Sequence, residues 1–343
     1  MGKPIIFASI NYRLLVLGFP AGSEAFEAGI ENLGNLDQRL AMRWVQENIG
    51  AFGGDPDKVT VMGESGGGTD ILQHLVAYGG RDEHLFRAAI VESGSFYQVN
   101  CTWNITEQTQ SNWNDLLSYT NCTDLACLKA LDTATVTAAA LEFWDTFLPS
   151  IDGNFLPEHP VQLYDEGKFI NVPLLMGVNM DEGTILSTQG CNNESDLRAG
   201  LISLNQSSYV VFEEDIDALL EAYPDDPEQG IPLHTGDGLL STGTQDKRIN
   251  ALFNDAVEHS PRRWITGLLA DAGNAVFSYH FQQVPWGNDI ETGGEWPALG
   301  PLQLKLAVAL VLTLSLRFAP ASATHGTEVG HAHPVNPVAN DLN

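Results

Sequence analysis

Basic residues are scarce in this 343-residue chain, which has 16 lysines and arginines against 44 aspartates and glutamates and a formal net charge of −28. Nucleic acids and anionic membrane surfaces would both repel a protein with this balance of charge. We therefore expect no nucleic-acid partner. The acidity indicates a well-solvated protein and carries no information about the fold.

Cysteine is also scarce, with four residues at Cys101, Cys122, Cys127 and Cys191. None forms a Cys-x-x-Cys pair, and no group of histidines and cysteines has the spacing of a zinc site. The glycine-rich stretches lack the Gly-x-Gly-x-x-Gly order and contain no Gly-Lys-Ser or Gly-Lys-Thr, which argues against nucleotide binding. We expect neither a metal ion nor another cofactor.

Long apolar runs are missing as well. The longest, Leu306 to Leu316, has 11 residues, whereas a membrane-spanning helix needs about 20. We expect no signal peptide within this chain, and we find no internal repeat in its sequence. We expect no integral membrane segment. The length is compatible with one or two domains, and we predict a single α/β domain over residues 1–343.

The most informative segment that is present runs from Val59 to Gly68 and reads Val-Thr-Val-Met-Gly-Glu-Ser-Gly-Gly-Gly. Its β-branched beginning predicts a strand, and the following Gly-x-Ser-x-Gly predicts a sharp turn with Ser65 at its apex. The glycines permit strained backbone angles and close approach of the chain. Because a helix-like stretch, Thr69 to Ala77, follows, the segment indicates a nucleophile elbow.

The surrounding segments predict alternating strands and helices, which is typical of a parallel sheet with crossover helices. A helix opens near Gly34, and its recurring apolar residues predict a buried face made of Leu36, Leu40, Ala41, Trp44, Val45 and Ile49. It ends at Gly50 and the Phe-Gly-Gly-Asp-Pro run that follows. Strands are predicted at Ile5 to Asn11, Ala88 to Gly94, Val172 to Asn179 and Ala275 to Phe281.

The order strand, helix, Phe-Gly-Gly-Asp-Pro, strand, Gly-Glu-Ser-Gly-Gly resembles the type-B carboxylesterases, the group of the cholinesterases and the large secreted fungal lipases. The resemblance is dense from Asn11 to Gly94, patchy to Phe281, and returns around His325. It implies an α/β-hydrolase fold, with a mostly parallel central sheet flanked by helices and incomplete at both ends. Residues 100–150 are then a helical insertion, and residues 288–323 an atypical insert.

The resemblance also implies a catalytic triad. A serine hydroxyl needs a base within hydrogen-bond reach, and that base needs an acid to orient it. Ser65 is the expected nucleophile, and Glu182 matches the family's acid in Asn-x-Asp-Glu-Gly, with Asp181 as the neighbouring alternative. His325, in a His-Gly-x-Glu segment, is the expected base, whereas His331 and His333 are poorer candidates.

Three further residues are expected to support this chemistry. The N–H of Gly66, directly after the nucleophile, is an expected oxyanion donor. Glu64 and Ser93 are expected next to the triad, Ser93 behind Glu182, although a small residue that merely ends a strand explains Ser93 equally well. The expected reaction is hydrolysis of a small-molecule or lipid ester through an acyl-enzyme.

Several features indicate a secreted, glycosylated protein. The Asn-x-Ser/Thr sequons begin at Asn100, Asn104, Asn121, Asn193 and Asn205. Sequons cluster in this way in chains of oxidising compartments. The family resemblance implies a disulfide between Cys122 and Cys127, with two separate thiols as the alternative.

Two departures from the family limit these expectations. The family's His-Gly-Gly-Gly-type loop, which supplies further oxyanion donors, has no counterpart before the first predicted strand. The stretch from Asn288 to Ala323 differs in composition from the rest, so we expect a truncated gene product or a read-through of untranslated sequence. The alternative function is therefore a non-catalytic or inactive fragment, or a binding protein on the same fold. The ester substrate and the oligomeric state stay open.

Overall fold

The computed structural model describes residues 4–95, 100–103, 107–144, 146–206, 215–233 and 243–282. The predictions that concern His325, His331, His333, Asn104 and the segment 288–323 lie outside these residues.

Strands and helices alternate along the described chain. The strands are β1 (Thr60–Glu64), β2 (Ala88–Glu92), β3 (Asn100–Trp103), β4 (Ser150–Ile151), β5 (Leu174–Asn179) and β6 (Val276–Phe281). The helices are α1 (Leu15–Gly18), α2 (Ser23–Glu27), α3 (Leu33–Asn48), α4 (Gly66–Gly80), α5 (Glu107–Thr120), α6 (Leu125–Ala130), α7 (Thr133–Glu142), α8 (Pro160–Asp165), α9 (Gly183–Leu186), α10 (Glu194–Gln206), α11 (Ile216–Ala222), α12 (Asp246–Phe253) and α13 (Ser260–Asp271). A π-helical turn, Asn254–His259, joins α12 to α13.

The described strands form a parallel sheet in the order β1-β2-β5-β6, and β3 and β4 form a separate small parallel pair. Glu64 at the end of β1 is in register with Glu92 of β2, and Glu92 with Gly177 of β5. Because all the strands of the larger sheet run the same way, their carboxyl ends lie along one edge. Of these strands, β1 and β6 are the outer ones. This architecture confirms the predicted α/β class.

The main core lies between the sheet and the helices α4, α8 and α13. Leu72 and Leu75 of α4 pack with Leu174 and Met176 of β5, and all four side chains are fully buried. Fully burying an aliphatic side chain of this size contributes about 2 kcal/mol each. The β5 strand is buried along nearly its whole length, as expected from its continuous apolar sequence.

Residues 4–14, which include the predicted strand Ile5 to Asn11, form no regular secondary structure. Ile5 and Phe7 are 87% and 75% exposed. A strand requires a neighbour for its backbone N–H and C=O groups, and none of the described strands pairs with this segment. The strand prediction is therefore wrong for the structure as described.

The helix α3 occurs where it was predicted, but its buried face is different. Leu40 and Trp44, predicted to be buried, are 64% and 49% exposed. The polar residues Asn35 and Gln38 are buried instead. They are buried because they hydrogen-bond to α4, as described below, so the apolar periodicity identified the helix but not its orientation.

The predicted helical insertion contains α5, α6 and α7, which pack against the segment around α2. A disulfide joins Cys122 to Cys127, the pairing that the family resemblance implied. Cys191 is a buried free thiol. Within the described residues, no helix is long and apolar enough to cross a bilayer.

Candidate active site

Ser65 occupies a sharp turn between β1 and α4. Its backbone has φ 56° and ψ −122°, a conformation that is strained for a residue with a side chain. The turn is held by hydrogen bonds from Ser65 N to Glu92 O, at 2.9 Å, and from Thr69 N to Ser65 O, at 3.0 Å. The sharp strand-to-helix turn that the sequence predicts at Ser65 is thus present.

Glycines make this turn possible. A Cβ on Gly63 would lie 2.4 Å from the backbone of Gly67, and a Cβ on Gly94 would lie 2.6 Å from the backbone of Gly68. Real Cβ atoms do not approach backbone so closely. The strand β1, the first turn of α4 and the end of β2 can therefore meet only where these positions lack side chains.

Gly66 is the first residue of α4. The N–H groups at the start of a helix have no partner four residues earlier, and the helix dipole makes them attractive to negative charge. The Gly66 N–H next to Ser65 is therefore a donor of the kind that an oxyanion needs, and its role as an oxyanion donor stays a prediction.

Glu182 follows β5 and is fully buried. Its Oε1 accepts three hydrogen bonds, from Ser93 Oγ at 2.5 Å and from the backbone N and the side-chain Nδ2 of Asn179 at 3.0 Å each. Ser93 directly follows β2 and has a positive φ of 49°, and its N–H donates to Gly177 O. A buried carboxylate with several donors is held in one orientation. Ser93 thus contacts Glu182, one of the two arrangements that the sequence left open.

The parallel topology brings these residues to one edge of the sheet. Ser65 follows β1, Ser93 follows β2 and Glu182 follows β5, and β2 lies between the other two strands. Ligand sites of open α/β sheets form at the carboxyl ends of the strands. The structure therefore places the predicted nucleophile and the predicted acid at the edge where chemistry is expected.

The neighbouring acid, Asp181, has a different environment. Its Oδ1 is buried without a hydrogen-bond partner among the described residues. Burial raises the pKa of Asp181 to about 6, with Lys247 acting in the opposite direction. Glu182 has the donors that stabilise a charged carboxylate, and its bonds make it the better candidate for the acid.

Glu64 and Glu92 form a second acidic feature beside the elbow. They are register partners on β1 and β2. Burial, and then the charge of Glu64, raise the pKa of Glu92. Two neighbouring carboxyl groups resist simultaneous ionisation, so Glu64 disfavours the charged form of Glu92.

The described histidines include none of the C-terminal candidates. His74 of α4 is buried, contacts Gln38 at 2.7 Å, and has its pKa lowered to about 3 by burial and then by Arg39. His259 and His280 form an edge-to-face pair with ring centroids 4.6 Å apart. No sequence pattern indicates this pair, because its members are 21 positions apart, on the π-helical turn and on β6.

A buried polar network behind the elbow was also missed from the sequence. Asp70 of α4 accepts hydrogen bonds from Asn35 at 3.3 Å and from Gln38 at 2.5 Å, and Asn35 also donates to Gln73. Burial raises the pKa of Asp70 to about 6. These bonds attach α3 to α4, the helix whose first turn carries Gly66. Separate polar residues on two helices give no pairing signal in a single sequence.

Among the residues that the structure describes, no group of three or more His, Cys, Asp or Glu side chains is placed to bind a metal ion.

A serine on a strained strand-to-helix turn, at the carboxyl edge of a parallel sheet with a buried acid two strands away, defines an α/β-hydrolase-like protein. The family comparison agrees: the chain belongs to the Carboxylesterase family, whose sequence model matches residues 1–341. The family resemblance of the sequence is therefore confirmed.

Individual relatives are fungal. The chain is 38% identical to Lipase 5 of Diutina rugosa over 77% of this chain and 50% of that protein. It is 32% identical to Secreted triacylglycerol lipase LIP1 of Gibberella zeae over 81% of this chain and 50% of that protein. The solved structure of Aspergillus niger EstA superimposes with a TM-score of 0.67 at 27% identity, covering 92% of this chain and 67% of that one. The chain thus spans about half the length of the curated relatives that it matches.

Proposed function

We propose that this protein is a serine hydrolase that cleaves carboxylic esters through an acyl-enzyme, with Ser65 as nucleophile, His325 as general base and Glu182 as the acid that orients the base. The observation that carries the proposal is the strained elbow at Ser65, with Glu182 held by Ser93 at the same sheet edge. Membership of the carboxylesterase family and the fungal lipase relatives support it.

In the proposed first half-reaction, His325 takes the proton of Ser65 as Oγ attacks the ester carbonyl carbon. Glu182 orients the imidazole and stabilises the imidazolium. The Gly66 N–H donates to the oxyanion, and a donor of this kind contributes about 3 kcal/mol to the transition state. The C–O bond then breaks, His325 protonates the leaving alcohol, and an acyl-serine ester remains.

In the second half-reaction, His325 takes a proton from water, whose oxygen attacks the acyl carbon. The Ser65 ester bond breaks, the carboxylic acid leaves, and the proton returns to Ser65. The charge of Glu64 beside the elbow favours the transient imidazolium in both halves.

The substrate, location and modification are parts of the same proposal. We assign esters of small alcohols or lipids as substrates, because relatives are named lipases. We assign a secreted location because of the relatives named as secreted, and because the described Cys122–Cys127 disulfide is typical of oxidising compartments. Of the sequons, Asn121 and Asn193 are exposed and accessible to glycosylation.

The competing function is a non-catalytic or inactive protein on the same fold. It stays open because a shared fold does not establish activity. An oxyanion hole that needs donors from further chain would leave Ser65 unreactive despite its elbow. The two functions differ in whether Ser65 can be acylated.

A fluorophosphonate probe, which phosphonylates activated serines, tests the proposal when it is followed by peptide mapping. We expect a stoichiometric adduct on the peptide that contains Ser65, none in Ser65→Ala, and labelling slowed by at least about 10³-fold in His325→Ala, because a triad acts as a unit. Hydrolysis of 4-nitrophenyl butyrate should fall in parallel.

The exposed Ser111→Ala is the matched control and should label like the wild type. Folded protein, judged by circular dichroism, that never labels at Ser65 supports the inactive alternative. Ester hydrolysis that survives in Ser65→Ala would show that the proposed nucleophile is wrong.

A further inference from the structure

An apolar cavity of about 280 Å³ lies between the helical insertion and the segment from Val16 to Leu33. Leu116 of α5, Leu128 of α6, Val136 of α7 and Leu33 at the start of α3 form its walls. Its lining, within the described part of the chain, includes none of Ser65, Ser93 or Glu182. It is therefore a separate site from the one that the proposed function uses.

Most of the residues that line the cavity are apolar. Thr120 is one of the few polar residues of the lining, and its hydroxyl donates to Leu116 O at 2.8 Å within its own helix. The indole N–H of Trp113 donates to Glu24 at 3.0 Å. A cavity whose polar atoms are already bonded holds apolar groups better than water.

The walls are fixed before any ligand arrives. Glu24 of α2 accepts the Trp113 bond from α5 and also a bond from the N–H of Leu125 on α6. The disulfide Cys122–Cys127 spans the connection between α5 and α6. A preformed cavity of this kind saves a ligand the cost of ordering the protein.

Lys129 gives the cavity one charged feature. It lies in the last turn of α6, its side chain is exposed, and it belongs to the cavity lining. The acidic residues nearest in sequence, Asp124 and Asp132, accept from backbone N–H groups as the N-caps of α6 and α7. Among the described residues, Lys129 forms no ion pair with a carboxylate, so its ammonium group is available at the rim.

We propose that this cavity binds a linear medium-chain carboxylate, with the alkyl chain in the cavity and the carboxylate at Lys129. A cavity of about 280 Å³ has room for an alkyl chain of medium length and not only for a single water molecule. The apolar lining selects the tail, and the ammonium group of Lys129 selects the carboxylate head group.

Calorimetric titration of the full chain with decanoate, octanoate and 1-decanol tests this site. We expect decanoate to bind one-to-one, and octanoate to bind about 15-fold more weakly, because each of the two lost methylenes costs about fourfold. Lys129→Gln should weaken decanoate about threefold, the scale of an exposed ion pair, and should leave 1-decanol unchanged. The control Lys58→Gln removes an exposed charge elsewhere and should change neither ligand.

Filling the mouth of the cavity provides the second arm. Val136 is half-buried in the lining, so Val136→Trp should abolish decanoate binding, whereas Thr137→Trp, on the exposed side of α7, should not. If decanoate binds Val136→Trp as tightly as it binds the wild type, the proposed site is wrong. This result would also be obtained if decanoate bound near Ser65 and not in the cavity. Equal binding of decanoate by wild type and Lys129→Gln overturns the head-group assignment. Because the readout is binding, fluorophosphonate labelling of Ser65 can succeed or fail independently.

Discussion

Removal of the Ser93 hydroxyl gives a direct measure of how the acid is held. Among the described residues, Ser93 Oγ donates to Glu182 Oε1 together with the backbone N–H and the side-chain amide of Asn179. A hydrogen bond to a charged group contributes about 1.5–3 kcal/mol to stability. Since the two donors of Asn179 remain and no oxygen is left unsatisfied, we expect Ser93→Ala to lower the free energy of unfolding by about 1.5–2 kcal/mol. Alanine keeps the same backbone strain at the positive φ, so the change reports the bond.

Urea unfolding followed by tryptophan fluorescence measures this change, with Ser111→Ala on the surface of α5 as a control that should stay within about 0.5 kcal/mol of the wild type. The same substitution in a Glu182→Gln background separates charge from packing. Without the negative charge, Ser93→Ala should cost only about 0.5–1 kcal/mol. An equal cost in both backgrounds, or a cost below about 0.5 kcal/mol in the wild type, would refute the reasoning.

Three further predictions concern the elbow, the disulfide and the histidine pair. Gly63→Ala should destabilise the protein by about 3 kcal/mol in urea unfolding and abolish Ser65 labelling, because the new Cβ would collide with the backbone of Gly67. Its control is Gly67→Ala, which has open space around the new Cβ and should be neutral or stabilising by about 0.5–1 kcal/mol. Replacing Cys122 and Cys127 by alanine should cost about 2 kcal/mol, the loop entropy of a short closed ring, and dithiothreitol should then no longer shift the unfolding midpoint. Burial and then His280 lower the pKa of His259 from 6.5 to about 4. As the pH falls, the unfolded chain therefore binds the proton first, and the free energy of unfolding decreases between pH 6.5 and about 4. His259→Gln should reduce this pH dependence in unfolding curves taken across the range, and an unchanged dependence would count against the assignment.

Local backbone chemistry made the elbow predictable. A β-branched run before Gly-x-Ser-x-Gly specifies both the strand β1 and the strained angles of Ser65, because only glycines at the flanking positions allow the approach of α4. Glu182 was also found in its predicted place after β5. Its role as triad acid, and that of His325 as base, remain predictions.

Tertiary contacts account for what the sequence did not reveal. Hydrophobic periodicity assigned Leu40 and Trp44 to the buried face of α3, but the network around Asp70 turns Asn35 and Gln38 inward. Burial of a polar group is tolerable only with a partner, and that partner lies more than 30 positions further along the chain. Single-sequence patterns contain no such pairing information.

The outer strands of the described sheet have a consequence for the colloidal behaviour of the protein. Strand edges offer backbone groups that can pair with a neighbouring molecule, and β1 and β6 also present Met62 and Phe277, which are 44% and 64% exposed. Mutual repulsion of molecules with a charge of −28 keeps such edges apart. That repulsion decays over about 8 Å at physiological ionic strength and over shorter distances in concentrated electrolyte. We therefore expect the molecules to stay dispersed in dilute buffer. Added salt screens the repulsion and allows the strand edges of two molecules to associate.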